Sequence, residues 1–293
     1  MAQPQPLPEI AWIDAPAPAG RWGLPGELAL PLADRGLLLA DGLFETVLVL
    51  DSRPRLLAEH LQRWRTGAAL LAMEPPPTAA QVEPLIEEAI GRSGITTGAL
   101  RLNWSRGTPA AAAARGIAIP GGCRQRFWLQ LSAASPCFDP VRVIVSPTET
   151  RSATSLLSRA KTFSYGSAIQ ARRQAEASGA DDALLASSAG GLCCGTAANL
   201  LVRGAAGWLT PPLTSGCLPG VMRARALALG LAREAPIALE DLAGCSGALL
   251  LNSLGCRSIS HLAGEPLAWS GHGSSTPDAA LAPEAADLWH RLL

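Results

Sequence analysis

Lysine is almost absent from this sequence: Lys161 stands alone against 23 arginines. Tyrosine is as rare, with Tyr165 the only one, and charged residues make up only 16% of the chain. The longest apolar stretch, residues 36–50, is broken by Asp41 and Glu45 and is too short and too charged for a bilayer span, so no membrane partner is expected. The formal net charge is zero, with no basic or acidic block, which argues against nucleic acid as a partner. The opening MAQPQPLPEIAWIDAPAPAG has neither a basic start nor an apolar core, so a secretory signal is not expected there. Seven cysteines form an odd set without disulfide-framework spacing. A reduced, cytoplasmic chain is the expectation. Cys193-Cys194 lacks the two-residue spacing of a metal pair and has no histidine beside it, so no metal site is expected. A Ser-His-Asp hydrolase would need a nucleophile elbow, and no such motif is present.

What is there is apolar: 48% of 293 residues, enough for two domains or one large one. The Ala, Gly, Pro and Arg abundance suggests a codon bias under which a surface lysine is easily replaced by arginine. The one lysine left is then either a chance survivor or does something arginine cannot. A guanidinium stays protonated, whereas a desolvated lysine can lose its proton, form an imine and act as a base.

Residues 1–20 read as a loose Pro/Ala-rich arm. Strands are expected at Leu43–Leu50, Leu100–Trp104, Phe127–Leu131, Val141–Val145, Ala183–Ala186, Leu200–Val202, Trp208–Thr210 and Leu249–Leu251. Helices are expected at Leu56–Ala72, ending before Pro75-Pro-Pro77, and at Val82–Arg92, Tyr165–Ala177 and Val221–Leu231. The segment SAASPCFDP is the best linker. The reading is therefore an α/β chain of α+β character, with a small N-terminal domain over 1–132, a linker over 133–140 and a larger domain over 141–293 that carries Lys161.

Several motifs occur in order: Asp34-Arg-Gly, Asp41-Gly-Leu-Phe-Glu-Thr46, His60-Leu-Gln-Arg63, Arg101 with Arg106-Gly, Arg115-Gly, Lys161, Gly190-Gly191 with Asn199, Thr210-Pro-Pro-Leu through Leu218-Pro-Gly-Val-Met-Arg223, and Asn252-Ser253-Leu254. In that order the sequence resembles the fold-type IV enzymes of pyridoxal 5′-phosphate (PLP), the class IV aminotransferase family, over roughly Asp34 to Ser258. Within it the likeness is greatest to 4-amino-4-deoxychorismate lyases. The resemblance implies a small open α/β domain and a larger one with a barrel-like sheet, PLP between them, and a homodimer. It implies Lys161 as the Schiff-base lysine and catalytic residue.

The cofactor's phosphate needs a cation and backbone donors. Arg63 would give a charged bidentate contact, the N–H groups of Gly220, Val221 and Met222 open a helix onto an anion, and Ser253 would add a hydroxyl. Read without the family, Arg63 is an exposed helix arginine beside Arg65, and Pro219-Gly220 is a turn before a helix. Tyr165, four residues beyond Lys161, would share a helical face with it and touch the cofactor, or else simply pack. Asn199 falls among the cofactor ligands. Glu45 is either a substrate-facing carboxylate or an arginine partner, and Arg106 and Arg115 are candidates for a substrate carboxylate or are solvated loop residues.

One position departs from the family. A glutamate five residues before Asn199 normally sits against the pyridine nitrogen, and here it is Cys194. A thiol is mostly neutral at pH 7 and donates weakly, so the cofactor becomes a weaker electron sink. Elimination that makes an aromatic product tolerates this better than transamination does. The implied reaction is conversion of 4-amino-4-deoxychorismate to 4-aminobenzoate and pyruvate, a step toward folate. The alternatives are an aminotransferase of branched-chain or D-amino acids and a non-catalytic relative.

Overall fold

The computed structural model of the chain describes residues 8–14, 20–110, 116–119, 121–205, 207–267 and 278–293. Two compact units emerge: Met1–Ser135 with Ala160–Ser164, and Pro136–Arg159 with Tyr165–Leu293. Among the described residues, no helix is long and apolar enough to cross a membrane.

The first unit runs β1 (Glu9–Ile13), β2 (Arg21–Gly23), α1 (Arg35–Leu39), β3 (Gly42–Leu50), β4 (Arg53–Pro54), α2 (Leu57–Leu70), α3 (Ala79–Ser93), β5 (Gly98–Pro109) and β6 (Cys123–Ala133). Its strands form one six-stranded sheet in the order β2-β1-β6-β5-β3-β4, every pair antiparallel. Successive side chains on a strand point to opposite faces. Leu43, Val47 and Val49 of β3 and Leu100 and Leu102 of β5 therefore share a face, and they pack on Leu61 and Trp64 of α2 and Val82 and Ile86 of α3. The register Glu45↔Leu102 and Val47↔Leu100 puts Glu45 on that helix-covered face, and it leaves Phe44, Thr46, Arg101 and Asn103 on the other.

The loose arm expected over residues 1–20 is corrected for its described part. Glu9–Ile13 is a strand held between β2 and β6, with Ile10, Ala11, Trp12 and Ile13 all buried. The apolar run IAWI makes this worthwhile: burying such side chains outweighs the Pro/Ala context on either side.

Residues 160–164 pack with the first unit although the chain on both sides belongs to the second. Backbone bonds do this. Phe44 N–H donates to the Lys161 carbonyl (2.9 Å) and Phe163 N–H to the Gly42 carbonyl (3.0 Å), with Leu43 bridged to Thr162. The Phe163 ring tilts against Trp128 with 5.6 Å between centroids.

The second unit runs β7 (Val141–Arg151), α4 (Gly166–Ala177), β8 (Asp182–Ser187), β9 (Leu192–Gly195), β10 (Asn199–Gly204), β11 (Gly207–Thr210), α5 (Val221–Ala228), β12 (Ala232–Glu234), α6 (Leu239–Gly244), β13 (Ala248–Asn252), β14 (Gly255–Leu262), β15 (Glu265–Pro266) and α7 (Asp278–Arg291). Its sheet follows the order β12-β11-β10-β13-β14-β7-β8-β9, and β9 also pairs with β10. That extra pairing turns six of the strands, β10-β13-β14-β7-β8-β9, into a closed ring, the barrel-like sheet expected of the larger domain. The closing pair is Asn199↔Cys194. β9 is four residues behind a Gly-Gly turn, too short for its pattern to be read from sequence.

Gly42 is where the first unit's sheet meets the 160–164 segment most tightly. A Cβ there would lie 2.2 Å from the Phe163 ring. Gly42→Ala is expected to cost about 1–3 kcal/mol through overpacking, read as a lower urea midpoint with an unchanged slope. A midpoint within error of wild type would show that the segment is not held there.

Candidate active site

The amine comes first. Lys161 Nζ lies 4.4 Å from the centroid of the Phe44 ring, and the guanidinium carbon of Arg101 lies 3.5 Å from the same centroid. Two cationic side chains thus share one aromatic ring, an arrangement in which each is attracted to the ring quadrupole. Arg101 Nε donates to Asn103 Oδ1 at 2.7 Å, which fixes the guanidinium along β5. In the sequence Arg101 stands only as part of a motif. Its period-2 position, between Leu100 and Leu102 whose side chains face the core, is the signal that puts it on the face away from the helices, with Phe44.

Glu45 has a different place from the expected substrate ligand. It points to the helix-packed face and is 1% exposed. His60 Nδ1 is 2.7 Å from Oε2, and because an ionised carboxylate only accepts, the ring donates there. Arg63 Nε donates to Oε1 at 2.9 Å and Nη2 donates to Oε2. Burial alone would push this carboxyl up. The Arg63 charge and the hydrogen bonds from His60 and Arg63 override it and hold the group at about 2, below its ordinary 4.5. Arg63 is therefore an anchored side chain on α2, not the exposed helix arginine of the bland reading.

Arg106 is likewise placed differently from a substrate-carboxylate ligand. Its Nε donates to Asp41 Oδ2 (2.8 Å), Nη1 to the Ala72 carbonyl (2.9 Å) and Nη2 to the Leu71 carbonyl (2.9 Å). It pins the end of α2 to β5. The same Asp41 oxygen accepts from Arg35 Nε at 2.8 Å. Arg115 lies outside the described residues.

In the second unit, Cys194 is buried on β9 and belongs to a cluster of thiols and small side chains with Cys193, Cys217, Ala171 and Ala175. Cys193 is held protonated by its hydrogen bonds to Cys194 and Cys217, by burial and by their charges. Its hydrogen bond to Cys217 brings that thiol down to about 7, against burial and with help from Arg223. Asn199, the ring-closing partner of Cys194, donates from Nδ2 to the Leu218 carbonyl at 2.9 Å. Gly220 then caps α5, and a Cβ on it would meet Asn199 Oδ1 at 2.0 Å, so only glycine lets the chain pass. The first N–H groups of α5, at Val221 and Met222, are among those a helix leaves without intrahelical partners. Ser253 sits in the turn joining β13 to β14, which Asn252 ties by accepting from Leu254 N–H at 2.8 Å.

The helical face expected to join Lys161 and Tyr165 is not formed. Residues 161–165 are not helical, and Tyr165 is the N-cap of α4, which starts at Gly166. The four-residue spacing carries no facing relationship off a helix.

Taken unit by unit, the residues are of the kinds a phosphate-bearing aldehyde cofactor needs: the first unit has the chain's one side-chain amine at an aromatic ring and an anchored arginine, and the second has a helix that starts at a glycine N-cap. Fold and residues together define a PLP enzyme of mixed α/β type. The Amino-transferase class IV family matches residues 42–262, and the chain belongs to it. It is a PLP-dependent enzyme. The chain is 30% identical over 184 residues to a bifunctional aminodeoxychorismate lyase / D-amino acid transaminase of Mycobacterium tuberculosis, covering 57% of this chain and 58% of that protein. It is 25% identical over 217 residues to a protein of Methanocaldococcus jannaschii provisionally named a branched-chain-amino-acid aminotransferase, covering 71% and 74%. Among solved structures it is similar to 4-amino-4-deoxychorismate lyase from Pseudomonas aeruginosa, with a TM-score of 0.73 and 26% identity, covering 96% of this chain and 98% of that one.

The depressed Glu45 carboxyl predicts a pH dependence of stability. Its contribution is present in full above the ordinary value near 4.5 and is lost as pH falls toward about 2. Urea unfolding from pH 7 down to pH 3 should show the loss beginning below about 4.5. Glu45→Gln is expected to be less stable at pH 7 by about 3 kcal/mol, since it strips the charge from a buried pair, and to show a flatter acid limb. An acid limb as steep as wild type would assign the pH dependence to other carboxyls.

Proposed function

We propose that the protein is a 4-amino-4-deoxychorismate lyase, releasing 4-aminobenzoate and pyruvate for folate synthesis, and that it works as a cytoplasmic homodimer. The observation that carries this reading is Cys194, a thiol buried on β9 among other thiols and alanines, at the position where the family resemblance expects a carboxylate.

PLP, when bound, supplies an electron sink conjugated to the substrate amine. Cys194 would donate only weakly toward the ring nitrogen and would not keep it protonated as a carboxylate would. Transamination leans on that proton. Elimination depends on it less, because the ring becomes aromatic as the enolpyruvyl group leaves. Lys161 Nζ takes the proton from the carbon bearing the substrate amine and returns one to the departing enolpyruvate. The substrate divides into the two products with no co-reactant. Arg63 would give the phosphate a charged contact, and the N–H groups of Val221 and Met222, the turn at Ser253 and the loop fixed by Asn199 would be its further ligands. Arg101, which shares the Phe44 ring with Lys161, is suited to a substrate carboxylate.

Similarity to the Pseudomonas aeruginosa lyase and to the bifunctional Mycobacterium tuberculosis protein supports the lyase reading. The latter's second named activity keeps D-amino-acid transamination as the competing one. Seven cysteines without a disulfide suit a reducing compartment. Leu32, 82% exposed, Ile117, 88% exposed, and the exposed Leu37 and Leu38 on α1 give the first unit apolar surface that a self-association would cover.

The test is product analysis. Purified protein with PLP and 4-amino-4-deoxychorismate should release 4-aminobenzoate and pyruvate in equal amounts, and Lys161→Ala should lose both this and the visible absorbance band of the bound cofactor. Cys194→Glu should raise keto-acid formation from D-alanine or leucine relative to lyase turnover by tenfold or more. A wild type that transaminates well and releases no 4-aminobenzoate would overturn the proposal.

A further inference from the structure

Glu45 and His60 are the most deeply buried titratable pair of the first unit that the reaction does not use. Each is 1% exposed. A buried carboxylate is tolerated when its charge and lone pairs are met, and here both oxygens are met by two neighbours on a single helix, α2. The contact with Arg63 is side-on, through Nε and Nη2. A planar guanidinium gripped along that edge has its plane and its remaining end fixed by the carboxylate, not by its own flexible stem. His60 grips the same carboxylate from another side, one turn earlier on α2, so Glu45 is itself immobilised. Charge pairing alone would not need the third member: one arginine already neutralises one carboxylate. What the histidine adds is direction.

We propose that Glu45 and His60 are positioning residues that orient the Arg63 guanidinium for the phosphate of PLP, a role that rests on the proposed contact between Arg63 and that phosphate. Neither touches substrate or cofactor in this assignment. Their effect reaches the cofactor through Arg63 and is selective for the phosphate group.

Selectivity makes the assignment testable by binding alone. Apo protein is titrated with PLP and with pyridoxal, which lacks the phosphate, following the visible absorbance band, and the fold is checked by thermal denaturation. Glu45→Gln, nearly isosteric, is expected to weaken PLP at least tenfold while pyridoxal changes less than twofold. His60→Leu is expected to weaken PLP severalfold with pyridoxal unchanged, and His60→Asn, which keeps a donor near the Nδ1 position, to recover most of the loss. Equal weakening of both ligands, or PLP binding within twofold of wild type in a folded variant, overturns the proposal. Should Glu45→Gln not fold, the two His60 variants decide it by the same criteria. Arg63→Met separates this from the reading beneath it. If that variant keeps wild-type preference for PLP over pyridoxal, the phosphate role of Arg63 is what fails. If it loses the preference while the Glu45 and His60 variants keep it, only the positioning role fails.

Discussion

A single strand bridge, Asn199 to Cys194, closes the second unit's sheet into a ring, and the position of the α5 start follows from it. Closure removes the open edges that β9 and β10 would otherwise present there, and it fixes where Asn199 can point. Its side-chain amide then holds the Leu218 carbonyl, and its oxygen stands where any side chain at residue 220 would have to be. Glycine at 220 is thus the consequence of the ring, and the position of the α5 start is the consequence of the glycine. A helix start collects unused N–H groups wherever it is. Here its place is set from a sheet bridge through one side chain, that of Asn199.

The first unit solves a different problem, that of holding one amine still. Lys161 is placed by main chain: its carbonyl accepts from Phe44 N–H, and Phe163 two residues on donates back to Gly42. Its amine lies over the Phe44 ring, 4.4 Å from the centroid. Beneath the sheet, buried acids organise the helices and loops. Glu45 ties α2 to β3, and Asp41 joins Arg35 to Arg106, which reach carbonyls at 116–118 and at 71–72. Breaking such a pair leaves an unmatched buried charge, which costs far more than the pair contributes. These acids therefore specify geometry more than they add stability.

What was legible in the sequence tracks this division. The long strands and helices announced themselves by period, and the lone lysine fell in order with its motifs. The strand Glu9–Ile13 was hidden because its five residues sit in proline-rich flanks, and its partner β6 lies more than a hundred residues away. Of the two readings open for Glu45 the arginine partner is the one found, and the sequence left the choice open because a strand motif does not say which parity faces the helices. That needed the register with Leu102. Arg106 looked like a substrate ligand because an arginine after a strand is polar and mobile on paper. Only the fold brings Asp41 and the α2 carbonyls to it. Tyr165 was joined to Lys161 by assuming helix across residues whose backbone bonds go instead to β3.

Cys194 was the departure most visible in the sequence, and the structure gives it a context that the motif lacked. Its neighbours are Cys193, Cys217 and alanines of α4, and Cys193 spends its hydrogen bonds on the two flanking thiols. A carboxylate placed there would be desolvated by this surface, a cost that a cation or hydrogen-bond donors would have to meet. The thiol needs no such partner. The cluster is therefore self-consistent with a neutral residue at 194 whether or not the cofactor is present, and the fold does not depend on the cofactor to neutralise a buried charge on β9.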